Sequence, residues 1–375
     1  MRVSIDSRTT QPGDYFIPVK GPNFDGRDYI GDALSKGARL LDIDLTTFSK
    51  SYRKKLKCAV IGITGSAGKT TVKDMLHSIL SQKFNVVSTK ENQNNEIGVP
   101  LTLLSADDTT DVLIVEMAMR NKGDMAHLTR LVRPTHIVMT GIGLTHASEF
   151  KTAKDIAKAK GEIFQKPLAW EKEQRNAYIN YSSRYPDFLS KLAEKKGYKI
   201  FPFEGQDLPD QNIQLCYMIG RHFGLENEDI QKGLEHYVPS SHRLIHVPHP
   251  SLTIIDDTYN SNPDGVVYAL QTLKRYEGRK IVVLADMLEL GEFSEKEHAA
   301  LVEPLVDAGV SAVMTFGEES KAIQSEDISV MHFDTKEDLH KMLSMELKQD
   351  DVVLVKGSRG MKMEETVEYI RQHVI

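Results

Sequence analysis

The chain has 375 residues, 40% of them hydrophobic and 27% charged, with 47 basic against 53 acidic side chains and a formal charge of −6. That length exceeds what one hydrophobic core usually organises, so two or three domains are expected, and the acidic balance argues against nucleic acid as a partner. No apolar run approaches the ~20 residues of a spanning helix, and the opening MRVSIDSRTT lacks an apolar signal core, which predicts a cytoplasmic protein without membrane insertion.

Residues 1–54 carry turn-rich pieces (QPGD, KGPNFDGRD) between short strands such as 15–19, and end in the polar stretch SKSYRKKLK, read as an exposed connection. They form a small N-terminal α/β domain in this reading. From Cys58 apolar runs alternate with amphipathic stretches: CAVIGI, a helix through VKDMLHSIL, DVLIVEM, THIVMTGIG and a helix around AKDIAKAKGEIF. That rhythm predicts a parallel sheet covered by helices, a central domain over 55–240. Residues 170–210 look polar and little periodic, followed by an amphipathic helix over 213–223. A second α/β rhythm over 241–375 (KIVVLAD, one helix through EKEHAALVEPLVDA, SAVMTF, a helix over 338–345, DVVLVKG and a last helix over 362–373) predicts a Rossmann-like C-terminal domain. Cys58 and Cys216 lie far apart in apolar segments and read as core residues.

GITGSAGKTT (62–71) follows an apolar strand and opens a helix, the context a P-loop requires. Its glycines stand at Gly65 and Gly68, a variant of the strict motif. Backbone N–H groups of Gly65, Ser66, Ala67, Gly68 and Thr71 would turn toward phosphate oxygens at the positive end of the helix, Lys69 would neutralise them, and the Thr70 hydroxyl would ligate Mg²⁺. A P-loop specifies a nucleotide but not a reaction.

Further blocks narrow the reading: NNEIGVPLTLL (94–104), VEMAMRNKGDMAHL (115–128), GIGLTHASEF to AKAKGEIF (141–164), DDTYNSNPD (256–264), LADMLELGE (284–292) and KGSRGMKME (356–364). With ITGSAGKTT and the N-terminal DSRTTQPGDYFIPVKGPNFDGRDYI they span nearly the whole chain, which resembles the Mur ligase family, most closely its D-alanyl-D-alanine-adding branch. The resemblance implies the three-domain α/β architecture of that family and an ATP- and Mg²⁺-dependent amide ligase. Its substrates would be UDP-MurNAc-tripeptide and D-Ala-D-Ala, and a monomer is the default.

Carried over by motif, Glu116 would share a Mg²⁺ with Thr70, His146 would hold a second, and Lys160 would be carbamylated into a metal-ligating carboxylate. Asn212 would contact adenine, Arg243 the nucleotide phosphates, and Asp257 and Asn262 the ribose and base. Asn94, Asn95 and Glu96 would face substrate and phosphate. Asp286, Lys356, Ser358 and Arg359 would receive the dipeptide, and Ser7, Arg8, Asn23 and Phe24 the UDP-sugar. Departures accompany the match. The stretch between Lys160 and Asp257 is shorter than is usual in the family. Leu208 and Pro209 stand where the family has a His-Asn pair, and Ala118 and Gly141 where glycine and asparagine are usual. Two alternatives stay open here: the same chemistry on a different carboxylate or amine, and a non-catalytic ATP-binding scaffold.

Overall fold

The computed structural model describes residues 2–21, 23–143, 150, 152–166 and 175–374; His146 lies outside these. Three sheets follow one another along the chain. The first is small and parallel, in the order β1-β2-β3, from β1 (Val3–Ser4), β2 (Tyr15–Phe16) and β3 (Arg39–Leu40), with α1 (Ile30–Ser35) and α2 (Leu45–Arg53) beside it.

The second contains β4 (Ala59–Thr64), β5 (Val86–Ser88), β6 (Val112–Glu116), β7 (His136–Met139), β8 (Arg175–Asn180) and β9 (Tyr198–Phe203). All are parallel, in the order β5-β6-β4-β7-β8-β9. Its connecting and flanking helices are α3 (Lys69–Leu80), α4 (Gly98–Ser105), α5 (Asp124–Val132), α6 (Ala153–Lys160), α7 (Pro186–Glu194), α8 (Leu208–His222) and α9 (Asn227–Glu235). Successive strands leave β4 first toward β6 and then toward β7. The end of β4 is therefore the switch point of the sheet, where a crevice opens above the strand ends.

The third sheet orders β10 (Ile245–Val247), β11 (Thr253–Asp257), β12 (Lys280–Ala285), β13 (Ala312–Phe316), β14 (Ser329–Phe333) and β15 (Val352–Lys356) as β10-β11-β15-β12-β13-β14, antiparallel only at β10. Helices α10 (Pro263–Leu273), α11 (Ser294–Ala299), α12 (Val302–Asp307), α13 (Lys336–Glu346) and α14 (Glu364–His373) cover it. Both large sheets are buried on two faces: Ile61, Ile63, Val72, Leu76 and Ile114 fill one side of the second, and Val60, Leu113, Val115, Leu128 and Ile137 the other. Unbroken apolar strands such as VLIVE and VVLVK are what two-sided burial demands.

Three readings of the sequence are corrected. The polar stretch 49–57 is largely helix, and Arg53 at its end is buried, donating to the carbonyls of Val132 at 2.6 Å, Arg133 at 3.0 Å and Leu56 at 3.3 Å. Its charges hid a helix whose inner face is Leu45, Ser49 and Arg53. The segment read as little periodic contains β8, α7 and β9. The single helix expected over 295–308 is two, because Pro304 in the first turn of α12 has no N–H to offer the carbonyl of Ala300.

His136 opens β7 stacked near the Tyr178 ring, whose hydroxyl meets His222 Nδ1 at 2.9 Å. Burial, and secondarily the His222 charge, bring the His136 imidazole down to about 4. The unfolded chain then binds a proton that the native protein refuses, so stability falls as pH drops from about 6.5 toward 4. Chemical denaturation should show a loss on the order of 2 kcal/mol between pH 7 and pH 5, and His136→Gln should flatten that slope.

Candidate active site

The loop between β4 and α3 occupies the switch point. Gly68 has φ +78°, a left-handed conformation that only glycine adopts freely, and a Cβ at Gly65 would sit 1.9 Å from the Thr140 hydroxyl. Thr140, at the end of β7, donates to the Ala67 carbonyl at 2.5 Å, and Ser66 exchanges hydrogen bonds with Gly143 at 2.8 and 3.1 Å. The loop is thus held from the neighbouring strand while α3 opens beneath it.

Lys69 folds back onto this loop, donating to the carbonyls of Gly65 at 2.8 Å and Ser66 at 3.1 Å. Lys160, buried at the end of α6, donates to the same Gly65 carbonyl at 3.0 Å. Burial lowers the proton affinity of both amines; at Lys160, where it falls well below that of an ordinary lysine, the charge of Lys69 lowers it further.

The Thr70 hydroxyl donates to Glu116 Oε2 at 2.8 Å, and Asn94 Nδ2 donates to Glu116 Oε1 at 2.9 Å. The Glu116 backbone is pinned by the Thr89 hydroxyl at 3.0 Å, while buried Lys73 donates to the Thr89 carbonyl at 2.9 Å. Thr70 and Glu116 offer adjacent oxygen donors and no nitrogen or sulfur, the chemistry of a Mg²⁺ site that draws its remaining ligands from phosphate and water. Among the described residues no group of three His, Cys, Asp or Glu forms a denser cluster.

Across from the loop stand the ends of β11 and β15. Asp257 and Lys356 face each other in register and pair at 2.6 Å, and Lys356 also donates to the Asn260 carbonyl at 2.8 Å. Burial raises the proton affinity of Asp257 while Lys356 opposes that rise. Arg243 lies 4.0 Å from the centre of the Tyr259 ring, and the exposed Arg359 lies 5.9 Å from it. The Asn262 side chain caps α10 through Gly265 N at 2.8 Å. Between the two walls lies a cavity of about 810 Å³, lined by Ser66–Thr71, Asn94–Glu96 and Glu116 on one side and by Arg243, Asp257, Asn262 and Lys356 on the other.

Other sequence-predicted residues lie apart from the cavity wall. Asn212 is buried behind Gly68, its side chain facing the Tyr268 hydroxyl. Asp286 accepts from Ser320 N at 2.8 Å, and the Ser358 hydroxyl accepts from Leu288 N at 3.0 Å, so both brace loops. Ser7 is buried, whereas Arg8 pairs with Asp6 on the surface and Asn23 and Phe24 are exposed in the N-terminal domain. Sequence reasoning missed Tyr259, Tyr268, Thr272 and Arg275, which line the cavity from α10 and from the segments that follow β11 and α10. Only Tyr259 carried a signal, its place inside DDTYNSNPD.

Comparison with known proteins identifies the class. Residues 2–92 match the model of the Mur ligase family catalytic domain, 63–217 the Mur ligase middle domain and 242–359 the Mur ligase glutamate ligase domain. The chain belongs to the Mur ligase family. A relative from Bacillus subtilis (strain 168), UDP-N-acetylmuramoyl-tripeptide--D-alanyl-D-alanine ligase, is 32% identical over 422 aligned positions, covering 97% of this chain and 92% of the relative. The alignment is longer than the chain, so the relative carries residues that face gaps here. MurF from Acinetobacter baumannii superposes with a TM-score of 0.88 at 25% identity over 99% of this chain and 93% of that one. The MurF ligase from Thermotoga maritima, solved in complex with ADP, does so at 0.83 and 27%, over 99% and 97%.

A neutral buried amine is the form of lysine that adds carbon dioxide. After equilibration with ¹³C-bicarbonate, the protein should show a carbamate carbon resonance by NMR that Lys160→Arg lacks and Lys69→Arg retains.

Proposed function

We propose that the protein is an ATP-dependent ligase that joins D-alanyl-D-alanine to UDP-N-acetylmuramoyl-tripeptide through an acyl phosphate, in the cytoplasm and as a monomer. The observation that carries this reading is the cavity itself, a phosphate loop and an oxygen-donor pair on one wall facing the strand ends of a second α/β domain. The relatives that match over nearly the full chain bear the name of this reaction.

A carboxylate resists attack by an amine because it is resonance-stabilised and has no leaving group. Phosphorylation by ATP supplies one: a carboxylate oxygen bonds to the γ-phosphorus, the bond to ADP breaks, and an acyl phosphate forms. The loop's backbone N–H groups hold the phosphates in line, and Lys69, leaving the carbonyls of Gly65 and Ser66, spreads the developing charge. Thr70 and Glu116 would hold a Mg²⁺ that neutralises phosphate charge. Carbamylated Lys160, with His146, would hold a second. Asn212, beside the loop at Gly68, and Arg243 serve the nucleotide.

The dipeptide amine then attacks the acyl carbonyl, phosphate leaves with the bonding pair, and the proton lost from nitrogen passes to solvent or phosphate. Arg359 and Lys356 lie at the strand ends where a dipeptide carboxylate would dock; Lys356 meets it already paired with Asp257, so Arg359 is the freer cation. Enclosure between two domains brings three substrates together and keeps water from the acyl phosphate.

Phosphate release from Mg-ATP with UDP-MurNAc-tripeptide should depend on added D-Ala-D-Ala, and the product should be heavier by one dipeptide residue unit on mass spectrometry. Lys69→Ala should lower the rate on the order of 100-fold or more. Release that ignores the dipeptide, or an unchanged Lys69→Ala rate, contradicts the assignment.

A further inference from the structure

Lys73 takes no part in the chemistry described above, yet it is only 3% exposed, and a buried ammonium is costly unless it is paired. It stands three residues after Thr70 on α3, and Asp74 stands four after, so all three lie along one side of the helix. Lys73 Nζ pairs with Asp74 Oδ1 at 2.6 Å and donates to the Thr89 carbonyl at 2.9 Å. The other Asp74 oxygen, Oδ2, accepts from the Ser240 hydroxyl, so the carboxylate is itself fixed by the segment that leads to Arg243.

Thr89 follows β5 and is buried. Its N–H donates to the Ile114 carbonyl at 3.0 Å and its hydroxyl accepts from Glu116 N at 3.0 Å, which carries the pairing of β5 with β6 one step past Ser88. Glu116 Oε2 in turn accepts from the Thr70 hydroxyl at 2.8 Å. These contacts form a closed circuit: Thr70 to Glu116, Glu116 to Thr89, Thr89 to Lys73, and Lys73 back to Thr70 through one turn of α3. A Mg²⁺ held by Thr70 and Glu116 would take the place of their mutual hydrogen bond. The link through Lys73 and Thr89 uses other atoms and survives that exchange. Mg²⁺ tolerates little departure from octahedral geometry, so the spacing of helix and strand matters to it.

We propose that Lys73 is a positioning residue for the Thr70–Glu116 metal pair: through the Thr89 carbonyl it sets the gap between α3 and the end of β6 that the metal spans. The proposal rests on that pair holding the metal, and on the ligase reading only for its kinetic readout.

The test uses Mn²⁺, whose paramagnetism reports binding directly, with ADP and the full chain. Lys73→Met keeps the stem and removes the amine; Asp74→Asn beside it leaves no carboxylate unpaired and keeps an acceptor for Ser240. Electron paramagnetic resonance should show the Kd of this double variant for Mn²⁺ in the ADP complex raised about tenfold or more. Its calorimetric Kd for ADP without metal should stay within twofold of the wild type. Thr89→Val, which removes the hydroxyl that Glu116 N meets, should also weaken Mn²⁺ binding, whereas Thr89→Ser should match the wild type. Because Lys73 acts through Thr89, combining Thr89→Val with the double variant should raise the Kd by less than the product of the separate effects. In turnover, the Mg²⁺ concentration for half-maximal rate should rise likewise, with KM for D-Ala-D-Ala unchanged. An unchanged Mn²⁺ Kd in the Lys73 variant, an equal loss of ADP affinity without metal, or fully multiplicative effects would overturn the positioning role. A wild type that binds no Mn²⁺ with ADP would remove the metal pair and this proposal with it. A wild type that binds Mn²⁺ but forms no amide would count against the proposed function alone.

Discussion

Two lysine side chains, Lys69 and Lys160, donate to one carbonyl oxygen, that of Gly65, at 2.8 and 3.0 Å. Two ammonium charges so placed in a poorly hydrated site repel each other strongly unless an anion joins them or one of them gives up its proton. The Asp264 carboxylate acts on both amines and Glu116 on Lys69, offsetting part of that repulsion, and a phosphate in the loop would offset more of it. The loop's glycines, the strand-end hydroxyl of Thr140 and the Thr70–Glu116 pair build a cradle around a charge that the substrate brings. Lys69 can swing from backbone carbonyls to phosphate oxygens with its charge intact. Lys160, whose proton affinity burial and its neighbour lower well below that of an ordinary lysine, is the amine suited to chemical conversion into an anion.

This constraint also explains the division of labour between domains. The central sheet fixes the phosphate end at its switch point, where β6 and β7 diverge around β4. The C-terminal sheet presents Asp257 and Lys356 on adjacent strand ends, already paired, and so contributes a rigid floor there rather than a free cation. Reaction requires the two to meet, and α10 packs against α8 of the central domain.

Much of this was legible in the sequence because its signals are local. Apolar strand, glycine loop and helix follow one another within GITGSAGKTT, and Glu116 and Lys356 each end an unbroken apolar run. The edge strand β9 was not legible: its middle residues are half exposed and it contains Pro202, so it shows neither strict alternation nor a full apolar run. Helix α2 was hidden because its buried positions include Ser49 and Arg53, whose guanidinium is satisfied by carbonyls about 80 residues away in sequence. The polar contacts that α10 and the turn after it make with the central domain were invisible for a related reason. Polar residues at helical spacing normally mark a solvated face, and only the packing of two domains turns Asp264, Tyr268, Gln271 and Arg275 into contacts.

The central claim is that the substrate carboxylate is activated by accepting a phosphoryl group. It is tested most directly by labelling the terminal carboxylate of UDP-MurNAc-tripeptide with ¹⁸O, running the reaction with D-Ala-D-Ala and Mg-ATP, and analysing the released phosphate by ³¹P NMR or mass spectrometry. An acyl phosphate transfers one labelled oxygen to each phosphate released during ligation. Unlabelled phosphate, or label recovered in AMP, would show that the carboxylate never attacked the γ-phosphorus, and the account of this site would be wrong.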